Sequence, residues 1–284
     1  MNASLKGLGV IGDPIGHTLS PVIHNSMLKE LGFPEIYEAV HVLPEELTGW
    51  VRTARETFSG FNATMPHKTA LLPLMDELSD DASMYGAVNT VSVRGGRLFG
   101  HNTDGEGFLL SLKEHGMLPD KGRILVIGAG GAARSVSLKL ASEPIEELTV
   151  CCREPQKASP IAAASPRIRI APFSDLAKQA EHCDLLVNCT PLGMQGVSGQ
   201  FNDFGFLDFL PDKAAVCDLI YRPLETRLLS EAKKRGHLAV NGLDMLIYQA
   251  ILSLEQFLQL PLDIRRMHDV VENALSRELR KSPA

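Results

Sequence analysis

The first half of the chain alternates short apolar runs with longer stretches whose apolar residues recur at helical spacing. The segments "LGVIGDPIGH", "EAVHV", "GFNATM" and "AVNTVSV" predict strands, whereas "SPVIHNSMLKELG" and "KTALLPLMDEL" predict helices. Strands that alternate with helices are typical of α/β folds built around a mainly parallel sheet. We therefore predict such a sheet for the first half.

A second alternating series begins after Lys121. The runs "RILVIG", "ELTVCCR", "DLLVNCT" and "AAVCDLIY" are rich in Val, Ile and Leu. Unbroken apolar runs of this kind are typical of parallel strands covered by helices on both faces. Two last segments, "GLDMLIYQAILSLEQFLQL" and "RRMHDVVENALSRELRK", have apolar residues at helical spacing and predict two C-terminal helices.

Length and charge narrow the class of protein. A chain of 284 residues is long enough for two domains, and its 44% hydrophobic and 22% charged residues are typical of a folded globular protein. The formal net charge of −6 argues against a nucleic-acid partner, and no apolar run is long enough to span a bilayer. We therefore expect a small molecule as partner, and a monomer or a homodimer.

The cysteines and histidines do not form a metal-binding pattern. All five cysteines lie between Cys151 and Cys217 without a CxxC pair, which indicates reduced, buried thiols in a cytoplasmic enzyme. No HxxxH or HExxH spacing joins the histidines near the polar turns described below, which are His17, His24, His67 and His101. We expect no bound metal.

A glycine-rich turn opens the second half. The segment "VIGAGGAAR" places Gly128, Gly130 and Ala133 in a GxGxxA pattern between a predicted strand and a predicted helix. The glycines permit a tight turn and a close approach to a pyrophosphate at the helix N-terminus. A plain tight turn, with Ala133 filling the helix–strand contact, is the simpler alternative. The strand–turn–helix context favours a dinucleotide.

Charged residues after the next strand bear on which dinucleotide is bound. An acid at this position binds the ribose of NAD, whereas a basic residue accommodates the 2′-phosphate of NADP. Arg153 and Lys157 favour NADP, and Glu154 argues for NAD because its carboxylate would repel a phosphate. NADP is the preferred prediction, with NAD left open, and three solvated surface charges are the structural alternative.

A lysine follows a proline in "FNATMPHK", at a point where a helix could begin. Pro66 suits the first helical position, which would leave His67 and Lys68 in the first turn. The positive potential at a helix start disfavours an ammonium group there. Lys68 is therefore a candidate for a role in the chemistry of a site.

Small polar residues are concentrated in the turns of the first half. Ser20 could cap the helix that Pro21 opens, and an isolated Asn or Thr in a turn usually bonds the local backbone. Several such turns at the ends of neighbouring strands would nevertheless place their side chains in one crevice, the usual ligand position in open α/β sheets. Hydroxyls, amides, one lysine and one carboxylate suit a polyhydroxylated carboxylate substrate. The residues are Thr18, Ser20, Asn62, Thr64, Lys68, Asn89, Asn102, Thr103 and Asp104.

Eight segments, taken in order, resemble the shikimate dehydrogenase family over almost the whole chain. They are "GDPIGHTLSPVIHN", "GFNATMPHK", "GAVNTV", "NTDGEGF", "GAGGAAR", "NCTPLGM", "CDLIYRPLETRLL" and "GLDMLIYQA". The resemblance implies a substrate-binding catalytic domain at residues 1–105, completed by helices from 242–284, and a Rossmann-type NADP-binding domain at 106–241. It also implies reversible NADP-dependent reduction of 3-dehydroshikimate to shikimate, a step of aromatic amino acid (chorismate) biosynthesis.

The same resemblance implies roles for individual residues. Lys68 and Asp104 match the catalytic pair at the reacting oxygen, where Lys68 would exchange a proton with the alkoxide or stabilise its charge. Thr18 and Ser20 match the positions that hold the substrate carboxylate. The hydroxyl-binding and other substrate-side positions match Asn62, Thr64, Asn89, Tyr221 and Gln249. The cofactor side comprises Gly128, Ala129, Gly130, Gly131, Ala132, Arg153, Lys157, Thr190, Gly242 and Met245, and Met194 is expected along the cofactor.

Two departures from the family pattern leave alternatives open. NADP-binding members usually have Asn-Arg-Thr after the second strand, where this chain has Cys152, Arg153 and Glu154. Thr18 stands where serine is common, and its extra methyl group reshapes the carboxylate pocket. The alternatives are a quinate/shikimate dehydrogenase using NAD or NADP, an enzyme for an amino analogue of shikimate, or a catalytically silent dinucleotide sensor on the same fold.

Overall fold

The computed structural model describes residues 6–16, 18–34 and 36–281, so that His17 lies outside the described residues. The chain divides into two compact units, Met1–Thr103 with Ile247–Ala284, and Asp104–Leu246. The domain limits expected from the family resemblance lie within a few residues of these divisions. The distinct functions assigned to the two domains remain a prediction at this point.

The first unit is built on a six-stranded sheet. Its strands, numbered along the whole chain, are β1 (Gly7–Gly12), β2 (Tyr37–His41), β3 (Phe58–Ala63), β4 (Glu77–Leu78), β5 (Thr90–Arg94) and β6 (Arg97–His101), in the order β2-β1-β3-β5-β6-β4. Its helices are α1 (Ser20–Glu30), α2 (Leu47–Thr57), α3 (His67–Ala70), α4 (Asp80–Tyr85), the larger part of α10 (Leu243–Leu258), and α11 (Ile264–Lys281).

This sheet is mixed, which corrects the prediction of a mainly parallel sheet for the first half. Strand β1 pairs in parallel with β2 and β3, but β5 runs antiparallel to both β3 and β6. A two-residue turn at Gly95 and Gly96, with φ of 57° and 79°, closes the β5–β6 hairpin. Two consecutive residues with positive φ match the twist of a hairpin, and glycine adopts them without steric cost.

The predicted helix over "KTALLPLMDEL" is also wrong over most of its length. Helix α3 ends at Ala70, a 3-10 turn follows at Leu72–Leu74, and Glu77 and Leu78 form β4. The physical reason is Pro73, which has no N–H to donate and disfavours helical geometry at the preceding residue. The helix start is shifted as well, because Pro66 occupies the N-cap position and His67 is the first helical residue.

The second unit has six parallel strands, β7 (Arg123–Ile127), β8 (Glu147–Cys152), β9 (Ile168–Pro172), β10 (Leu185–Asn188), β11 (Ala215–Asp218) and β12 (Ala239–Val240). Their order, β12-β11-β10-β7-β8-β9, is that of a dinucleotide-binding Rossmann fold, with the reversal between β7 and β10. The helices are α5 (Asp104–Glu114), α6 (Gly131–Ser142), α7 (Pro155–Ala162), α8 (Leu176–Ala180) and α9 (Arg227–Lys234).

Each unit has its own apolar core, and one close contact fixes α10 in the first unit. A Cβ atom on Gly60 of β3 would lie 2.2 Å from the ring of Phe257, so that only glycine leaves room for this side chain of α10. The contact holds α10 against the sheet, with Gln249 and Ser253 on its preceding turns. None of the described helices is both long and apolar enough to cross a membrane.

Candidate active site

The polar turns of the first unit meet at one edge of its sheet. Strands β1 and β3 are parallel, so the segments after Gly12 and Ala63 leave the sheet at the same edge. Strand β5 is antiparallel to β3 and begins at this edge, and β6 is antiparallel to β5 and ends there. The structure therefore brings together the turns that carry the predicted substrate residues of this unit, as the sequence led us to expect.

The Thr18 and Ser20 side chains form a local pair. The hydroxyl of Thr18 donates to the hydroxyl of Ser20 over 3.1 Å, and accepts the backbone N–H of Ser20 over 3.2 Å. Ser20 is the first residue of α1, and Leu19, the N-cap, makes no side-chain capping bond. The suggestion that Ser20 caps this helix is therefore wrong. Leu19 is the N-cap, and the side chain that accepts a backbone N–H here is that of Thr18.

Asn62 is the centre of a buried polar network. Its Oδ1 accepts a hydrogen bond from the hydroxyl of Tyr37 over 2.7 Å. Its Nδ2 lies within hydrogen-bond distance of the carbonyl oxygen of Asn89 (3.0 Å), the hydroxyl of Thr90 (3.0 Å) and the hydroxyl of Ser253 (2.9 Å). A buried amide costs free energy unless it is paired, and here the protein pairs it fully on the nitrogen side.

Asn89 extends this network to the residue before Asp104. Its Oδ1 accepts the backbone N–H of Thr103 over 2.9 Å, and its Nδ2 donates to the Thr103 hydroxyl over 2.9 Å. Asp104 itself is buried and begins α5, where the positive potential of a helix start stabilises a carboxylate. The network therefore fixes the chain at the point where this carboxylate enters the helix.

Ser253 is a member of the network that sequence reasoning missed. Its hydroxyl donates to the backbone carbonyl of Gln249, one helical turn earlier in α10, over 2.8 Å. The same oxygen lies 2.7 Å from the hydroxyl of Thr90 and 3.2 Å from that of Thr103. The helical spacing of four residues from Gln249 was the available signal, because it places both side chains on one face of α10.

Lys68 lies in a short helix that is hydrogen-bonded to the segment after β2 and to the segment before β5. Its backbone carbonyl accepts the N–H of Val88 over 2.8 Å. The preceding residue, His67, is buried, and its Nε2 lies 2.8 Å from the carbonyl oxygen of Val42. Thr64 follows β3 directly, and a Cβ on Gly12 would lie 2.5 Å from its methyl group. These contacts hold the backbone that carries the half-buried Lys68 side chain.

Two further histidines near this edge are held in the neutral form by their surroundings. Burial lowers the pKa of His24 to about 3, and its ring stacks on that of Tyr37 with 4.0 Å between centroids. Burial and the nearby Arg94 charge lower the pKa of His101 to about 4. Both rings are therefore neutral near pH 7, so that neither carries a charge at this edge.

The glycine-rich turn of the second unit has the shape that a dinucleotide requires. Gly128 has φ of 112°, and a Cβ there would lie 3.0 Å from the Thr190 methyl group, so that this glycine is required by the fold itself. A Cβ on Gly130 or Gly131 would have no neighbour within 4 Å among the described residues. The surrounding protein therefore does not require glycine at these two positions, whereas a pyrophosphate lying against the backbone would require it.

The remaining residues of this turn begin α6. Gly130 is the N-cap and Gly131 the first helical residue, so the first-turn N–H groups have no partner within the helix. Ala129 and Ala132 are partly or fully exposed, whereas Ala133 is buried in the helix–strand contact. The residues present fit a dinucleotide phosphate at a helix N-terminus.

Thr190 lies on the other side of the strand-order reversal, after β10. Its backbone N–H and its hydroxyl both donate to the Oδ1 of Asn188, over 3.0 and 2.7 Å. Asn188 in turn donates to the buried Asp218, which also accepts the hydroxyl of Thr226 and the N–H of Ile220. Burial raises the pKa of Asp218 to about 6 despite these bonds. Sequence reasoning missed Asn188 and Asp218, because each ends an apolar run without a distinguishing pattern.

The charged residues after β8 are exposed, and two of them are paired. Nζ of Lys157 lies 2.8 Å from Oε1 of Glu154, with both side chains more than half exposed. This hydrogen bond, followed by the charges of Lys157 and Arg153, lowers the pKa of Glu154. Glu154 therefore carries a negative charge that offsets the positive charge of Lys157, and a role of Arg153 in binding a phosphate stays a prediction.

Gly242 has a clear structural function, and the other predicted ligand-binding residues discussed here are Tyr221, Met194 and Met245. A Cβ on Gly242 would lie 2.0 Å from the carbonyl oxygen of Leu219, so two backbone segments touch here just before α10. Tyr221 is half-buried, and burial raises the pKa of its hydroxyl. Met194 and Met245 are half-buried as well. The ligand-binding roles expected for all these residues stay predictions.

Two family profiles match the chain, one within the residues of each unit. The profile described as "Shikimate dehydrogenase substrate binding domain" matches residues 10–91, and that described as "Shikimate / quinate 5-dehydrogenase" matches residues 112–193. A curated shikimate dehydrogenase (NADP(+)) from Methanopyrus kandleri is 40% identical over 264 residues, which cover 90% of this chain and 91% of that protein.

Solved structures agree with the sequence comparison. The shikimate 5-dehydrogenase of Thermus thermophilus, in complex with NADP(H) and shikimate, aligns with a TM-score of 0.85 at 39% identity, over 95% of this chain and 100% of that one. The quinate dehydrogenase of Corynebacterium glutamicum, in complex with NAD, aligns with a TM-score of 0.85 at 28% identity, over 95% and 99%.

A Rossmann unit together with a unit that matches a substrate-binding profile indicates a dinucleotide-dependent oxidoreductase. The chain belongs to the shikimate dehydrogenase family.

Proposed function

We propose that the chain catalyses the reversible reduction of 3-dehydroshikimate to shikimate with NADPH, the reaction of aromatic amino acid (chorismate) biosynthesis. The observation that carries this proposal is the buried network at one edge of the first sheet, which joins Tyr37, Asn62 and Asn89 through the hydroxyls of Tyr37 and Thr90. Hydroxyl and amide groups held in fixed positions suit a substrate with several hydroxyls, because analogues that lack one leave a buried group unpaired.

The residues of the first unit would bind and orient the substrate. Thr18 and Ser20 would hold the carboxylate, since their hydroxyls lie side by side after β1. Thr64, Asn62, Asn89 and Gln249 would hold the ring hydroxyls, and Tyr221 would be a further substrate-binding residue. This division makes the first unit the substrate domain and the second the cofactor domain.

The chemistry requires a hydride at the carbonyl carbon and a proton at its oxygen. The reduced nicotinamide, when bound, supplies the hydride. Lys68 would give the proton to the oxygen as the alkoxide forms, and would take it back in the oxidation direction. Asp104 would stabilise the ammonium form of Lys68 between turnovers. A fixed positive charge beside the developing alkoxide also lowers the barrier electrostatically.

The second unit would hold the cofactor by its phosphates and by its ribose. The N–H groups at the start of α6 would face the pyrophosphate, and Gly130 and Gly131 would let it approach the backbone. Arg153 would contact the 2′-phosphate, since a guanidinium presents a fork of donors that matches phosphate geometry. Thr190 and Met245 would line the cofactor site. We further propose a cytoplasmic monomer or homodimer.

One observation favours a second candidate, a quinate/shikimate dehydrogenase that accepts NAD. Glu154 lies where an acid would bind the ribose of NAD, and it neutralises Lys157. Initial rates with shikimate and with quinate, each with NADP⁺ and with NAD⁺, discriminate between the candidates at the absorbance of reduced nicotinamide. We expect shikimate with NADP⁺ to give the highest kcat/KM. Faster turnover of quinate with NAD⁺ would replace the first candidate by the second.

A further inference from the structure

The hydroxyl of Tyr37 lies beside two parts of the substrate site that sequence motifs do not connect. It donates to the Oδ1 of Asn62 over 2.7 Å, and it lies near enough to the Ser20 side chain for Ser20 to affect the pKa of the phenol. Burial of this phenol raises its pKa well above the ordinary value, so it stays protonated and remains a donor. Tyr37 thus lies close to a residue at the start of α1 and to one in β3.

Both the backbone and the ring of Tyr37 are held in place. The Asn25 side chain donates to its backbone carbonyl and accepts its backbone N–H, both over 2.9 Å, in the manner of a neighbouring strand. The His24 ring stacks on its ring with an interplanar angle of 4°. Nδ1 of the buried His24 has no hydrogen-bond partner among the described residues, so this ring contributes by stacking. Two consecutive residues of α1 therefore fix Tyr37.

These contacts determine which hydrogen bonds the carboxamide of Asn62 can make with a ligand. The two protons on its Nδ2 are shared among three protein acceptors, which leaves no proton for a ligand. Its Oδ1 has two acceptor sites and Tyr37 occupies one. In this orientation Asn62 offers a ligand one acceptor position, which a hydroxyl can fill and a carbonyl oxygen cannot.

We propose that Tyr37 is a positioning residue of the substrate site, which fixes the Asn62 carboxamide so that it accepts from a non-reacting hydroxyl of the substrate. The inference rests on the proposed function. Tyr37 acts through Asn62 and does not touch the reacting atoms. Its contribution is therefore to the binding of the substrate in ground state and transition state alike, which appears in KM rather than in kcat.

The variant Tyr37→Phe tests this, because it deletes the hydroxyl and keeps the ring that stacks on His24. We expect the KM for shikimate to rise about tenfold, the equivalent of one hydrogen bond. The kcat, the KM for NADP⁺ and the melting temperature should stay close to those of the wild type. Ser92→Ala is the matched control, since Ser92 is a buried hydroxyl of the same sheet whose contact is with His101, outside the network. It should leave the KM for shikimate unchanged.

A second arm identifies the substrate hydroxyl. Shikimate analogues that lack the C4 or the C5 hydroxyl are compared in the wild type and in Tyr37→Phe. The penalty of the variant should vanish with one analogue and persist with the other, because only one hydroxyl bonds to Asn62. An unchanged KM for shikimate, or equal penalties with both analogues, would overturn the inference while leaving the function intact. A parallel rise of both KM values with a lower melting temperature would show a general structural role and also overturn it. A wild-type protein that does not oxidise shikimate would overturn the function itself.

Discussion

Asn188 donates a hydrogen bond from Nδ2 to the Oδ1 of Asp218 across 3.0 Å, and the two residues end neighbouring parallel strands. Asn188 also accepts from Thr190, and Asp218 accepts from Ile220, so one buried pair fixes the first residues of two loops beside the strand-order reversal. Asn188, Thr226 and Ile220 donate to the Asp218 carboxylate as neutral groups. Ionising this buried carboxylate therefore costs free energy, because no cation among these donors offsets its charge.

The first prediction concerns the pH dependence of stability. Burial raises the pKa of Asp218 to about 6, so the folded protein binds a proton between about pH 4 and 6 that the unfolded chain has released. Stability must therefore fall as pH rises through this window. The side chain at position 218 carries no charge in Asp218→Asn, so the free energy of unfolding of this variant lacks this dependence on pH. We expect the free energy of unfolding of the wild type to fall by about 1–3 kcal/mol relative to the variant between about pH 4 and 7.

Urea unfolding at several pH values across this range measures the difference. Asp212→Asn serves as control, because Asp212 is exposed and its replacement should leave the slope as in the wild type. Parallel curves for the wild type and Asp218→Asn would show that folding does not raise the pKa of Asp218.

The second prediction concerns proton transfer. Lys68→Ala should lower kcat for shikimate oxidation by about 10²–10⁴, the usual contribution of a positioned acid or base, with a smaller effect on KM. Lys178→Ala removes an exposed lysine of α8 in the second unit and should leave kcat unchanged. Steady-state kinetics of both variants give the kcat and KM values that test this prediction. A raised KM at undiminished kcat would show that Lys68 binds the substrate without taking part in the chemistry.

The third prediction concerns cofactor choice. Arg153→Ala should raise the KM for NADP⁺ by roughly tenfold or more, since a hydrogen bond between charged groups is stronger than a neutral one, and should leave the KM for NAD⁺ unchanged. Lys157→Ala should change the KM for NADP⁺ less, because the bond to Glu154 already neutralises Lys157. Glu154→Gln should lower the KM for NADP⁺ by removing a repulsion. Equal effects of Arg153→Ala on both cofactors would argue that Arg153 contacts the adenosine rather than the 2′-phosphate.

Hydrophobic periodicity and turn residues predicted many of the strands and helices of this fold. The strand–turn–helix around Gly128 was predictable because each of its parts has a local signal. The β5–β6 hairpin was missed although Gly95 and Gly96 carry its signal, and the helix through Pro73 was predicted against the rule that proline interrupts helices. Both errors came from giving apolar spacing more weight than the turn residues between the runs.

The candidate site divides in the same way. Thr18 and Asn89 stand in recognisable turns, Asn62 is the penultimate residue of β3, and the structure brings these segments to one edge. Tyr37 could not be found from sequence, because it is an ordinary residue of a strand whose importance comes from partners distant along the chain. For Ser253 the available signal was its spacing of four residues from Gln249, which does not indicate its distant partners. Such partners are brought together by sheet order and helix packing, and no local pattern encodes them.

The last prediction separates glycines that the fold requires from those that the cofactor requires. A Cβ on Gly242 would meet the Leu219 carbonyl oxygen at 2.0 Å, and backbone cannot yield as a side chain does. Gly242→Ala should therefore destabilise the protein by about 1–3 kcal/mol, as overpacking commonly does. A methyl group on Gly130 would have no neighbour among the described residues, so Gly130→Ala should leave the melting temperature unchanged. It should nevertheless raise the Kd for NADP⁺ at least tenfold, since the methyl group would keep the pyrophosphate from the backbone.

Thermal unfolding and isothermal titration with NADP⁺ on the same preparations give both quantities. Gly236→Ala is a useful third variant, because φ of 85° alone opposes alanine there and the site is far along the chain from the glycine-rich turn. It should lower stability without changing the Kd for NADP⁺. An unaltered Kd in Gly130→Ala would mean that this glycine serves neither the fold nor the cofactor, and the second unit would then have to bind its dinucleotide by another surface.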